Sequence, residues 1–199
     1  RVLQMSTDEV YGSLDSTADR FREDMPWEPT SPYAASKASA DMMVLAAFRS
    51  YGQDVIITRS SNNYGPYQFP EKLIPLMITH ALEDRVLPVY GDGLYVRDWI
   101  QVEDHCRGIV AAAEHGTAGE VYNFGGDEER TNLSVVREVL RCLGKPPNRV
   151  EHVKDRKGHD RRYAIDFSKA KTQLRWCPSV TFEAGLADTV QWYLENRNS

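Results

Sequence analysis

Cysteine is scarce in this chain of 199 residues: Cys106, Cys142 and Cys177 stand singly and far apart. No C-x-x-C pair exists, which takes a metal site such as zinc out of consideration, and an odd number of isolated thiols argues against a secreted disulfide scaffold. Buried or idle thiols in a reducing cytoplasm are the expectation. Long apolar runs are missing as well, none approaching the roughly 18 residues of a membrane span. So is an excess of basic charge. The 24 Lys and Arg against 29 Asp and Glu leave a net charge of −5, which offers no field to draw in nucleic acid or an anionic bilayer. The start lacks a signal peptide's apolar core, since Arg1-Val-Leu-Gln-Met5 runs straight into Ser6-Thr7-Asp8-Glu9. Repeats and low-complexity linkers are absent too. What remains, 41% apolar and 27% charged residues, is a globular balance long enough for one generous domain or two small ones.

Strand-like and helix-like stretches alternate, which predicts an α/β fold. Residues 1–6 read as a buried strand already under way, so the chain is expected to be cut at its beginning. The clearest helix opens at Ser31 and Pro32, an N-cap and a first-turn proline. Ala40, Met43, Val44, Ala47, Phe48 and Tyr51 then recur at helical spacing until Gly52. Residues 55–59 form a β-branched strand suited to burial on both faces. A polar, aromatic, turn-rich loop covers 62–70, and the next helix, over 73–82, confines Pro75 to its first turn. Residues 87–90 and 95–100 flank Gly91-Asp92-Gly93, the pattern of a hairpin. Helices over 103–115 and 133–143, strands over 120–124 and 150–153, and an amphipathic helix over 182–198 complete the reading. Two interleaved lobes fit this order better than two beads on a string.

Tyr33 and Lys37 form a Y-x-x-x-K pair, which stacks both side chains on one helix face a turn apart. A phenol titrates near 10, and a neighbouring ammonium favours the phenolate and can bring it into working range as a base. Alone, the pair reads equally well as a solvated helix face. Upstream, Thr7, Asp8 and Glu9 set a hydroxyl beside two adjacent carboxylates. Such carboxylates repel, so one tends to keep its proton as an acid while its neighbour serves as a base. The plain alternatives are an exposed acidic turn or an N-cap cluster.

Together, Ser6-Thr-Asp-Glu-Val-Tyr-Gly12, Ser31-Pro-Tyr-Ala-Ala-Ser-Lys37 and Arg59-Ser-Ser-Asn-Asn-Tyr-Gly-Pro66 resemble the extended short-chain dehydrogenase/reductases. Within that superfamily the sequence is similar to the dTDP-glucose 4,6-dehydratase family. Four further blocks carry the likeness across essentially the whole chain: residues 67–75, 90–93, 97–99 and 155–160. One block of that family is missing. Gly125-Gly126 follows a strand but lacks the G-x-G-x-x-G form that holds a pyrophosphate on backbone amides. A start in the fifth strand of the sheet would leave roughly 100 residues unaccounted for, and the isolated chain is expected to bind NAD poorly and turn over nothing.

The resemblance implies the C-terminal part of a Rossmann-type doubly wound parallel sheet plus a smaller α/β substrate-binding lobe. Residues 1–65 and 102–131 would form the partial NAD-binding domain, and 66–101 with 132–199 the nucleotide-sugar lobe. It implies Tyr33 as base at the sugar C4 hydroxyl, Lys37 on the nicotinamide ribose, and Thr7 on the C4 oxygen. Glu9 would take the C5 proton and Asp8 would protonate the leaving C6 hydroxyl. Asn63 would touch the cofactor, and Arg97 the diphosphate, which a guanidinium fork suits. Asn62, Lys72, Leu73, Pro88, Val89, Tyr90, Asn132, Asp155, Arg156, Lys157, Gly158 and His159 would complete the contacts to dTDP-glucose. Plain readings stand beside these: a surface lysine for Lys72, an ion pair for Arg97, a solvated loop histidine for His159. A homodimer through the Tyr33–Lys37 helix is implied, with Met42, Met43 and Phe48 compatible with it. The alternatives are an NAD-dependent epimerase, decarboxylase or dehydratase acting on UDP or GDP sugars, or a non-catalytic fragment that binds the sugar nucleotide. Asp8-Glu9 discriminates among the enzymes, because epimerases and decarboxylases need no loss of water.

Overall fold

The computed structural model describes residues 1–155 and 157–196; Arg156 and the last residues of the expected final helix lie outside the described part. The chain runs from β1 (Val2–Thr7) through a single 3-10 turn (Asp8–Tyr11) to α1 (Pro32–Tyr51) and β2 (Val55–Ser60). Then come β3 (Asn62–Tyr64), α2 (Leu73–Leu82), β4 (Leu87–Tyr90), β5 (Val96–Gln101), α3 (Val102–His115), β6 (Val121–Phe124) and β7 (Glu129–Thr131). α4 (Asn132–Cys142), β8 (Val150–Val153), α5 (Ser168–Leu174) and α6 (Phe182–Glu195) finish the chain. Among the described residues no helix is long and apolar enough to cross a membrane.

α1 begins and ends where local chemistry dictates. Ser31 Oγ accepts from the Ala34 amide at 3.1 Å, Pro32 takes the first turn, and Gly52 adopts a left-handed φ of 65° so that its amide returns to Phe48 O at 2.8 Å. Several large apolar residues of α1 stay outside: Met42, Met43 and Tyr51 are exposed and Val44, Leu45 and Phe48 half-buried, while the buried stripe is Ala34, Ala38 and Asp41. Small side chains let the helix lie close on the sheet.

β1, β2 and β6 form a parallel sheet in the order β1-β2-β6. β2 is buried along its entire length, as its β-branched sequence predicts. β1 departs from the expected burial, for Val2 and Met5 are more than half exposed. Among the described residues it pairs only with β2, so its other edge has no neighbouring strand to shield it.

The expected hairpin does not form. β4 pairs in parallel with β8, whereas β5 lies between β3, parallel, and β7, antiparallel. Gly91 and Gly93 both take positive φ, and Asp92 caps the Leu94 amide at 2.8 Å. The chain therefore turns between β4 and β5 without pairing them. Burial decides the rest: Leu87 and Val89 of β4 face the apolar cluster built by α2, α4 and α6. A second cluster joins the sheet and α3 to Ala170, Leu174 and Trp176, so the chain returns to the first sheet late. Phe182 plugs the first cluster, nearly fully buried, its ring 5.3 Å from that of Tyr64 and 6.3 Å from that of Trp99. Phe182→Ala is expected to cost about 3–5 kcal/mol, measured by denaturant unfolding; a loss under 1 kcal/mol would mean that the cluster refills the space.

Candidate active site

The carboxyl end of a parallel strand is where a doubly wound sheet exposes its backbone to a ligand, and β1 ends at Thr7. There the strand bends into the 3-10 turn, and Thr7 caps it: Thr7 Oγ1 accepts from the Glu9 amide and donates to Asp8 Oδ1, both at 3.3 Å. The capping alternative is thus realised together with the acidic pair. The turn takes Asp8 and Glu9 out of the strict alternation that two successive strand residues would follow.

Asp8 is 3% exposed and its Oδ2 is buried without a hydrogen-bond partner. Burial pushes its carboxyl up to about 8, the Glu9 and Asp98 carboxylates push the same way, and Arg97 opposes them. Asp8 therefore holds its proton at neutral pH. Tyr33, the second residue of α1, presents a half-exposed ring. Its phenol is raised by partial burial and then by Glu9 and Asp8, so both carboxyls lie within electrostatic reach of it. Lys37 sits one turn along the same face, its Nζ donating to Met5 O at 3.2 Å. Thr7, Asp8, Glu9, Tyr33 and Lys37 are thus gathered at the end of β1.

A second group assembles around loop 155–160. Asp155 accepts from Tyr95 Oη and stands 2.8 Å from His159 Nδ1, and the His159 ring stacks on Tyr95 at 3.7 Å. Tyr90 meets the His159 ring edge-on at 6.4 Å. The amide of Asn132 donates to Tyr95 O at 2.9 Å, and Gly158 turns with a φ of 66°. Lys157 is exposed beside it. Arg97 and Asp160 join the two groups. Arg97 Nη2 donates to Asp160 O at 2.9 Å and Nη1 to Val96 O at 2.7 Å, with the guanidinium over Tyr163. The Asp160 carboxylate accepts from Thr30 Oγ1, next to the cap of α1. The loop is therefore pinned close to Tyr33.

The other expected contacts are placed less directly. Lys72 is the N-cap of α2 without a side-chain cap bond, and Leu73 packs on the first apolar cluster. Val89 is buried in that cluster, beside the partly covered Pro88, so a ligand could meet Val89 only through its backbone. Asn62 begins β3 opposite Trp99. Asn63 Nδ2 donates to Ser60 Oγ at 3.2 Å and to Ser61 O at 3.1 Å, which leaves Oδ1 facing His105 Nδ1 at 2.8 Å.

Sequence reasoning missed Asp98 and His105. Asp98 is buried on β5, accepts from the Gly126 and Glu128 amides at 3.2 and 2.9 Å, and is pushed up to about 6 by burial. His105 is pushed down to about 4 by burial, and its Nε2 lacks a hydrogen-bond partner. Because the Asn63 amide donates elsewhere, its oxygen requires a proton on His105 Nδ1. An Arg97-Asp98-Trp99 run seen alone gives no sign that its acid acts electrostatically on another acid.

The residues present suit the nicotinamide end of NAD. Lys37 spends only one of its three N–H donors on a carbonyl. The Gly-rich pyrophosphate turn is not in this sequence.

Residues 1–189 match the family model described as GDP-mannose 4,6 dehydratase. The chain is 52% identical over 198 residues to a dTDP-glucose 4,6-dehydratase of Actinoplanes sp., covering 100% of this chain and 61% of that relative. It is 50% identical over 208 residues to one of Neisseria meningitidis serogroup B, covering 99% and 59%. The structure superposes with a TM-score of 0.95 and 56% identity on dTDP-glucose 4,6-dehydratase of Bacillus anthracis in complex with NAD, covering 99% of this chain and 62% of that one. UDP-glucuronic acid 4-epimerase of Bacillus cereus, in complex with UDP-glucuronic acid and NAD, matches with a TM-score of 0.91 and 30% identity over 97% of this chain and 61% of that one. The chain thus spans about three fifths of the length of these relatives, and the likeness shows an α/β architecture of the Rossmann type. With its family model matched over nearly all of its residues, the chain belongs to the GDP-mannose 4,6 dehydratase family.

Proposed function

We propose that this chain carries the catalytic end of a dTDP-glucose 4,6-dehydratase, a hydro-lyase that converts dTDP-glucose to the 4-keto-6-deoxy sugar nucleotide with bound NAD. The observation that carries this reading is the buried, protonated Asp8 beside Glu9 within reach of Tyr33. Tyr33 takes the proton of the C4 hydroxyl and Thr7 hydrogen-bonds the same oxygen. NAD, when bound, supplies the reversible hydride chemistry, from C4 and back to C6. The 4-ketone acidifies the C5 proton, which Glu9 removes and later returns to C5, while Asp8 hands its proton to the C6 hydroxyl so that water leaves. An alcohol is a poor leaving group, so the elimination needs a donor that still carries its proton at neutral pH. Asp8 does. Lys37 holds the nicotinamide ribose, one turn along α1 from Tyr33.

Residues 1–65 and 102–131 would serve the cofactor, and 66–101 with 132–199 the sugar nucleotide, the second part interrupted where 170–176 packs on the first sheet. Arg97, Tyr90, Asn132 and the 155–160 loop would hold the nucleotide, with Lys72 and Leu73 at its flank. A cytoplasmic homodimer fits the isolated thiols and the exposed Met42 and Met43 of α1.

The test is Glu9→Gln in the chain joined to the segment that the Actinoplanes relative carries beyond the match. C4 oxidation should remain detectable while product formation falls by about 10²–10⁴-fold. Unaltered turnover would refute the assignment, and epimerised sugar as the sole product would move the site to the 4-epimerases.

A further inference from the structure

Arg59 and Asp41 are wholly buried, and no step of the proposed chemistry uses them. Arg59 Nε and Nη2 reach the same Asp41 oxygen at 3.1 and 2.9 Å. The guanidinium lies between two rings, 4.3 Å from the centre of Trp27 and 4.7 Å from that of Tyr11. Tyr11 in turn donates to Asn123 Oδ1 on β6 at 2.9 Å and stacks on Phe21 at 5.0 Å.

The four residues come from four places that the chemistry needs held together. Arg59 is on β2, paired in register with Ser6 just before Thr7-Asp8-Glu9. Tyr11 closes the 3-10 turn that carries Asp8 and Glu9. Trp27 comes from the segment between that turn and α1. Asp41 lies on α1 four residues beyond Lys37 and eight beyond Tyr33, on the same helix face. Fixing Asp41 against Arg59 therefore fixes the rotation of α1 about its axis, and the ring sandwich fixes the turn to the same guanidinium.

Energetics point the same way. A buried ion pair contributes little net stability, because desolvation offsets the attraction, and well-packed apolar residues often replace it at no loss. Geometry is what such a replacement would give up.

We propose that Arg59 and Asp41 are positioning residues whose buried pair, gripped between Tyr11 and Trp27, sets the Asp8-Glu9 turn against Tyr33 on α1. The claim rests on the reading above for its consequence in turnover, but its geometric part does not.

The experiment pairs hydrogen exchange with kinetics. In the chain as it stands, Arg59→Met with Asp41→Leu should shift the thermal midpoint by no more than a few degrees. The amides of Glu9, Gly12 and Glu28, which bond to Thr7 Oγ1, Glu9 O and Val10 O, should exchange at least about tenfold faster, with those of β6 unchanged. Unchanged exchange at those three amides in the folded double variant overturns the proposal. Should that variant not fold, Arg59→Lys decides by the same readout, since an ammonium keeps the charge but cannot fill the slot between two rings. In the chain joined to the relative's segment, the double variant should lose about 10²-fold in kcat with KM for dTDP-glucose within threefold; a loss confined to KM overturns the proposal. Exchange needs no substrate, so a parent that turns over no dTDP-glucose counts against the functional reading while the exchange result still decides the geometry.

Discussion

Asp8→Asn should stabilise the chain at high pH and remove the proton donor of the proposed elimination. The folded carboxyl titrates at about 8 against an ordinary 3.8. A group raised in this way contributes its stability fully below its unfolded value and loses it as the pH rises through the folded one. Between pH 4 and pH 8 the parent should therefore weaken steadily, by about 1.4 kcal/mol for each pH unit at most. Asparagine carries no proton to lose, so the variant should show no such slope. At pH 9 it should exceed the parent by on the order of 3 kcal/mol, less than the whole linkage because its amide must also find partners. Urea unfolding at pH 5 and pH 9 checks this, and equal slopes for the two proteins would show that Asp8 ionises freely. In the chain joined to the relative's segment, loss of the proton donor should cut water elimination by about 10²–10⁴-fold while leaving C4 oxidation measurable.

The largest loss of stability should come from Gly126→Ala. A methyl there would stand 1.7 Å from Trp99 O, 2.5 Å from its carbonyl carbon and 3.0 Å from Ile100 Cα. All three are backbone atoms of β5, so no side-chain rotation relieves the clash. Retreat of residue 126 would break its amide's bond to the buried Asp98 carboxylate. A cost above about 4 kcal/mol, or failure to fold, is expected. Gly144→Ala is the control: nothing lies within 4 Å of its methyl, and only the φ of 62° resists it, at about 1 kcal/mol. Thermal midpoints of the two variants, compared side by side, test the pair; similar small losses would mean that β5 yields.

Some of this was open to a reader of the sequence. Ser31-Pro32 and Gly52 bound α1 because capping is a matter of neighbouring residues, and the β-branched run Val55-Ile56-Ile57-Thr58 of β2 forecasts burial on both faces. Thr7, Asp8, Glu9, Tyr33 and Lys37 were legible as a group through motif order and helical spacing. The hairpin misreading has a physical origin: a Gly-Asp-Gly turn dictates that the chain reverses, but not which strand it meets afterwards. β4 goes to β8 because Leu87 and Val89 fit the cluster of α2 and α4. Val89 likewise read as a ligand contact; its side chain lies in the core, which leaves only its backbone to meet a ligand.

Local chemistry, written in adjacent or turn-spaced residues, determined where elements start and stop, the α/β class, and which acid, base and phenol are available. Folding alone decided what those groups experience. Arg97 and Asp98 arrive from β5, some ninety positions away, to add to the field at Asp8; Asp41, Trp27 and Tyr11 close around Arg59 from separate segments. Burial and long-range electrostatics depend on distances in space, and a linear order of residues does not contain them.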